Sequence, residues 1–398
     1  MKQGGSRVDF TSERIKTLPP YIFSQFQQKK KVLEAKGMDI IDLGIGAPDL
    51  PTPNFIIEEL KEAVLNPENH RYSSYNGCVE FREAVAHFYK TYYGVDLDPE
   101  TEVLTLIGSK EGIANLIHAV INPGENVLVP DPGYPVYRSA VHIAGGNSVS
   151  LPLDPDNQYI PLYDQVSEKD LANTKLMFLN YPGNPTAATV ELDTFVEAIT
   201  FAKQHQIAVA HDSAYNLVTF DGYKAPSILQ VPGSKEIAVE FGSLSKSFNM
   251  TGWRIGYVVG NKDLIKAISV VKSNTDTSQF LPIQKAGAKA LYSDLSTLEE
   301  NNSTYKERME KMIEALQAMN IRVERPRGTF FIWAKVPDGL SSMEFAEKML
   351  EEAGVIITPG TAFGPAGEGY FRISLSVQTE RLQEAVNRMK QLHFEGAK

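Results

Sequence analysis

The sequence predicts an α/β protein with a large domain around a mostly parallel sheet flanked by helices, and a smaller α+β domain. Three observations carry this. The chain has 398 residues, more than one ordinary hydrophobic core accommodates. From about residue 100 to 260, short apolar runs without polar alternation are interleaved with helix-like stretches. Strands buried on both faces of a parallel sheet read this way. After residue 290 the style changes to one long polar helix followed by further strands. The expected division is residues 46–290 for the large domain, and 1–45 with 291–398 for the small one.

Taken in order, the first informative stretch is "IIDLGIGAPD" (40–49), a strand-like run followed by Gly44 and Gly46. It is not a dinucleotide fingerprint. Asp49 replaces the third glycine, and Pro48, Pro51 and Pro53 crowd the place where a helix should start. Next, "VLTLI" (103–107) runs into Gly108 and Ser109. "LIGSKEG" lacks the upstream glycine of a P-loop, and Lys110 is followed by glutamate, so the nucleotide reading fails. Helix-start N–H groups still make a phosphate cradle; an ordinary strand-to-helix turn is the equal alternative. "EGIANLIHAV" sets Ile113, Leu116, Ile117 and Val120 on one helical face. The remaining buried runs are "NVLVP" (126–130), "LMFLN" (176–180), "IAVAH" (207–211), "IAVEF" (237–241) and "IGYVV" (255–259). A helix at 298–319 is expected to join the domains without a break. Strands follow at "RVERP" (322–326), "TFFIWAKV" (329–336), "VIITP" (355–359) and "YFRISLS" (370–376), with helices near 341–353 and 379–392.

Composition limits the function classes. The net charge of −10 argues against nucleic acid or an anionic membrane as the main partner. Cys78 is the single cysteine, which precludes an intramolecular disulfide and suits a reducing compartment. "MKQGGSRVDF" has no apolar leader core, and no apolar run reaches the roughly 20 residues a bilayer requires. The expectation is a cytoplasmic protein with no membrane partner and no metal site.

Polar residues gather where strands end. Asp212 closes one buried run, with Tyr215 three residues on. Asn184 precedes a proline after another, Tyr134 follows a third in "DPGYPVY", and Lys246 follows a fourth with Arg254 downstream. In "YFRISLS", Arg372, Ser374 and Ser376 share one side and Phe371, Ile373 and Leu375 the other. Each has a plainer reading: helix cap, turn residue, core aromatic or surface ion pair. Together they form one inventory of an amine nucleophile, a phosphate cradle, a carboxylate, an aromatic plate, amide and phenol donors, and two arginines. Pyridoxal 5′-phosphate needs such a set, with its dianionic phosphate, aldehyde, ring nitrogen and phenolate oxygen.

"SLSKSFNMTGWRIGY" (243–257), with "NYPGNPT" (180–186) and "DSAY" (212–215) in that family's order, resembles the fold-type I, class I/II aminotransferases over essentially the full chain. "LPPYIFSQF", "DLGIGAPDLPTP", "NHRYSSYNG", "VLTLIGSKEGIANL" and "VPDPGYPVYR" are most similar to the LL-diaminopimelate aminotransferase subgroup. The resemblance implies a seven-stranded sheet and transfer of an amino group from an L-amino acid to a 2-oxo acid, 2-oxoglutarate foremost. It implies that Lys246 is the Schiff-base lysine and proton carrier, that Asp212 bonds the pyridinium N–H, and that Asn184 and Tyr215 hold the ring's phenolate oxygen. Tyr134 would stack on the ring. Ser109, Lys110, Ser243 and Arg254 would hold the phosphate, joined by Tyr72 from the other subunit of a homodimer. Arg372 would clamp the substrate carboxylate, which Gly46, Asn184 and Tyr21 would also approach. Ala187 stands where that family has a glycine, at an expected helix start. Alternatives are donors such as alanine, aspartate or aromatic amino acids, a β-lyase on the same cofactor, and, remotely, a non-catalytic regulatory relative.

Overall fold

The computed structural model describes residues 9–18 and 22–392. Tyr21 lies outside the described residues. Twelve strands are described: β1 (Ile41–Asp42), β2 (Val103–Leu106), β3 (Asn126–Asp131), β4 (Asn147–Pro152), β5 (Thr174–Leu179), β6 (Ala208–Asp212), β7 (Ala238–Ser243), β8 (Gly256–Gly260), β9 (Phe331–Lys335), β10 (Val355–Ile356), β11 (Thr358–Pro359) and β12 (Tyr370–Ser374).

Seven of them form one sheet in the order β2-β8-β7-β6-β5-β3-β4. β8 alone runs against the rest, antiparallel to both β2 and β7. The apolar runs are its interior: every residue of β2, β3, β7 and β8 is buried. Alternate residues feed the two faces. Val209 of β6 joins a cluster with Met177, Phe195 and Ile228, and Ala210 joins the opposite cluster with Phe178, Phe241 and Val258. Each aliphatic or aromatic side chain so buried contributes about 1.5–3 kcal/mol. β4 has no such run. "NSVSLP" is an edge strand paired only to β3 and is mostly half-buried, so it leaves no continuous apolar run in the sequence.

A third cluster gathers Ile40, Ile41 and Leu43 with Met309, Phe330, Phe331, Phe345, Phe371 and Leu382. It lies against the antiparallel sheet β11-β12-β9 and the parallel pair β1-β10. The helix Ser296–Ala318 links the cores, with Leu298 in the first cluster and Tyr305, Met309 and Met312 in the third. Among the described residues no helix is long and apolar enough to cross a membrane.

Two local expectations are corrected. "RVERP" forms no strand; residues 321–326 are irregular and pair with no sheet. Ala187 does not start a helix, since the next one begins at Leu192. It sits in a buried turn at φ 56°, the left-handed region glycine occupies without cost.

Candidate active site

The strand ends converge. β5 runs into Asn180–Asn184, β6 ends on Asp212, and β7 ends on Ser243 before the short helix Leu244–Ser247. β2 leads through Gly108 into the helix Ser109–Val120, and β3 leads to Tyr134. Ligands in open α/β sheets sit at this edge. Here it opens on a cavity of about 510 Å³ lined by Gly46, Ser109, Lys110, Tyr134, Asn184, Asp212, Tyr215, Ser243, Lys246, Arg254 and Arg372. Tyr72 is not among them; its side chain is 91% exposed on the surface.

Lys246 donates from Nζ to the Gly46 carbonyl at 2.6 Å. Burial first, then the charges of Arg372 and Arg254, push its ammonium from the usual 10.5 down to about 8. That gives an amine able to lose its proton near neutral pH.

Asp212 is buried at the end of β6. Its Oδ2 accepts from Tyr137 Oη at 2.7 Å, and its backbone carbonyl accepts from Asn180 Nδ2 at 2.7 Å. Oδ1 finds no hydrogen-bond partner among the described residues. Burial pushes the carboxyl up, against the Tyr137 hydrogen bond, which lowers it. A buried carboxylate oxygen left without a donor costs free energy unless a ligand supplies one.

Arg372 comes from β12, opposite Trp333 of β9 and Thr358 of β11. Nη1 donates to Asn184 Oδ1 at 2.7 Å and Nη2 to the Gly44 carbonyl at 2.6 Å. Its guanidinium lies 4.2 Å from the Phe331 ring centroid and 4.8 Å from that of Phe363. Gly46 must be glycine, because a Cβ there would stand 2.6 Å from Phe331 Cζ.

The helix start at Ser109 is equally tight. Gly108 has φ 78°, and a Cβ on it would stand 2.2 Å from Arg254 Nη2. A Cβ on Gly256 would meet the Gly242 carbonyl at 2.8 Å and Ser109 N at 3.1 Å. Gly252, by contrast, faces open space; close packing explains one of the two glycines in "TGWRIGY". Ser243 Oγ accepts from Ser245 N at 3.2 Å and so caps the short helix bearing Lys246. Arg254, itself at φ 55°, donates to the Thr251 carbonyl at 2.9 Å.

Sequence reasoning missed several residues here. Tyr137 is one; its spacing of three from Tyr134 on a helix was the available signal. Asn180 is another: it holds Asp212 through its amide and receives Asn184 N on Oδ1 at 2.7 Å. Phe331, Phe363, Ser245 and Thr251 also line the cavity.

The residues present fit pyridoxal 5′-phosphate. The orphaned Asp212 oxygen matches a protonated ring nitrogen, the Ser109–Lys110 helix start beside Arg254 matches a phosphate, and Lys246 matches an aldehyde.

Comparison with known proteins agrees. The family described as aminotransferase class I and II matches residues 38–389. The LL-diaminopimelate aminotransferase of Aquifex aeolicus is 49% identical over 381 residues, 96% of this chain and 98% of that protein. The one from Moorella thermoacetica is 47% identical over 381 residues, again 96% and 98%. Among solved structures, apo-BacF from Bacillus superposes with a TM-score of 0.93 at 39% identity, covering 97% of this chain and 99% of that one.

Proposed function

The chain belongs to the class I and II aminotransferases and is a pyridoxal-phosphate-dependent enzyme, and from that premise we propose that its amino donor is LL-diaminopimelate and its acceptor 2-oxoglutarate. The observation that carries the donor is the near-full-length identity of 49% and 47% to two enzymes bearing that name.

The bound cofactor supplies an electron sink for the pair left when the donor's Cα loses its proton. The protein's own residues do the rest. Lys246, its ammonium lowered to about 8, would hold the cofactor aldehyde and would take the proton from the donor's Cα. Asp212 keeps the ring nitrogen protonated through its unpartnered oxygen. Asn184 and Tyr215 orient the ring; burial pushes the Tyr215 phenol far up, so it stays a neutral donor. Tyr134 covers the ring face. Ser109, Lys110, Ser243 and Arg254 take the phosphate. Arg372 exchanges its two acceptors for the donor's α-carboxylate, beside Gly46. Tyr21 joins that carboxylate site in this reading.

The working unit we propose is a cytoplasmic homodimer, in which the exposed Tyr72 serves the partner's phosphate. The division into residues 46–290 and the two flanking segments belongs to the same reading. An aromatic donor is a second reading, favoured by the ring-lined wall of Tyr134, Tyr215, Phe331 and Phe363.

The test is the visible spectrum of the cofactor-loaded enzyme as single amino acids are added. LL-diaminopimelate should bleach the lysine-linked band, and 2-oxoglutarate should restore it. Bleaching by an aromatic amino acid or alanine instead would replace the donor. Pyruvate and ammonia formed without an acceptor would indicate a lyase.

A further inference from the structure

β6 turns consecutive residues to opposite faces of the sheet. Asp212 faces the cavity, and His211 points the other way into the core, fully buried. His211 Nε2 lies 2.9 Å from the Tyr181 carbonyl, which can only accept. Nδ1 lies 2.8 Å from Glu240 Oε2. The Glu240 carboxylate already receives Tyr89 Oη at 2.6 Å, Ser227 Oγ at 2.8 Å and Ile228 N at 2.9 Å. With three donors on its two oxygens, it meets His211 as an acceptor. Both nitrogens of His211 therefore face acceptors. Apart from Asp212 on the other face of the sheet, the neighbours among the described residues add no charge. Phe195 packs on the imidazole at 4.6 Å, and Tyr89, Tyr93 and Tyr257 are kept as neutral phenols by burial.

We infer that His211 is a buried imidazolium, paired with Glu240, and that it is a positioning residue for the cofactor's ring site. It acts in two ways. Through Tyr181 it fastens the turn that presents Asn184, which Asn180 ties to Asp212 from the other side. Through its charge it backs Asp212 from behind the sheet and favours that carboxylate's ionised form, working against the burial that pushes it up. The cofactor ring nitrogen then keeps its proton. This reading is independent of which amino acid is the donor.

Two measurements test it, and neither uses an amino donor. The first is ¹⁵N NMR of the wild-type apoprotein labelled at its seven histidines. In mildly alkaline buffer exposed histidines are neutral. One histidine should retain two protonated ring nitrogens, and that signal should vanish in His211→Gln. If all seven are neutral, the inference is overturned, whether or not any variant folds. The second is the pH midpoint of the visible band in cofactor-loaded His211→Gln and Glu240→Gln. With less positive charge on the ring nitrogen, the Lys246 imine becomes more basic, so the midpoint should move upward. The dissociation constant for pyridoxal 5′-phosphate should rise about tenfold, the equivalent of one pKa unit. A folded His211→Gln protein with an unmoved midpoint would reduce His211 to core packing and overturn the inference.

Discussion

Arg372 Nη1 donates to Asn184 Oδ1 at 2.7 Å, joining two residues 188 positions apart in the chain. The pair brings the third hydrophobic cluster's sheet into contact with the turn after β5. A lysine at 372 would keep a charge but lose the fork. Arg372→Lys should lower kcat/KM for the amino donor by about 10- to 100-fold, the worth of one charged hydrogen bond. Steady-state kinetics should show the loss mainly in KM.

Lys246 sets a pH dependence. The rate at which apoprotein captures pyridoxal 5′-phosphate should rise with pH and level off above about 8, not 10.5. Stopped-flow absorbance across a pH series measures this. The stability consequence has a definite sign. The folded-state ammonium is depressed, so the unfolded chain binds more protons between about 8 and 10.5. The penalty is fully present below about 8, of the order of 3 kcal/mol, and fades as pH rises toward 10.5. Denaturant titrations of apoprotein against Lys246→Met should show the variant's advantage shrink over that window.

Asp212→Asn removes the charge while keeping the shape. It should reduce kcat by about 10²- to 10³-fold. The melting temperature of the apoprotein should hold or rise, because a buried carboxylate with one oxygen unpartnered has gone. A melting curve beside the kinetics separates lost chemistry from lost fold.

Gly108→Ala puts a methyl where Arg254 Nη2 now stands, at 2.2 Å, and forces alanine to φ 78°. The arginine tip is flexible and can swing aside, so the chain should fold, with a loss of roughly 1–2 kcal/mol from the backbone. The phosphate cradle should fail. Cofactor per chain after gel filtration should drop well below wild type.

Tyr72 predicts complementation. Subunits carrying Tyr72→Ala and subunits carrying Lys246→Ala should each be nearly inactive. A mixed dimer should regain one intact site, because each subunit supplies what the other lacks. Mixing after mild denaturation and refolding, followed by an activity assay, reads this directly. No recovery would mean that Tyr72 serves its own subunit or none.

Much of this was legible in the sequence, for reasons that also mark the limits. The six buried runs announce their strands because both faces are covered. β4 is silent because it is an edge strand that is only half-buried. Asp212, Lys246 and Arg372 stand out as polar residues against apolar strands. Tyr137 does not, since its importance comes from a contact 75 residues away. Asn180 belongs with it, a polar residue whose use depends on β6 lying beside β5. "RVERP" reads as a strand between its neighbours, but among the described residues no partner strand reaches it. Ala187 shows the opposite case, a glycine-type conformation held by a residue whose own type gives no hint of it, although the family it resembles has a glycine there.

The segment from Gly44 to Asp49 has its own consequence. Gly44 accepts from Arg372 and Thr358, Ile45 from Ser376, and Gly46 from Lys246, while Asp49 takes Arg308 in a fork at 2.7 and 2.9 Å. An arriving molecule therefore finds the carbonyls of Gly44, Ile45 and Gly46 already hydrogen-bonded, and along this segment it gains only by trading. A simple amine can displace the Gly46 contact but has nothing to give Arg372. An amino acid offers its carboxylate as well and completes both trades. The cofactor-free pocket thus holds its lysine and its arginine on one backbone segment, and a ligand that offers both an amine and a carboxylate can exchange both contacts.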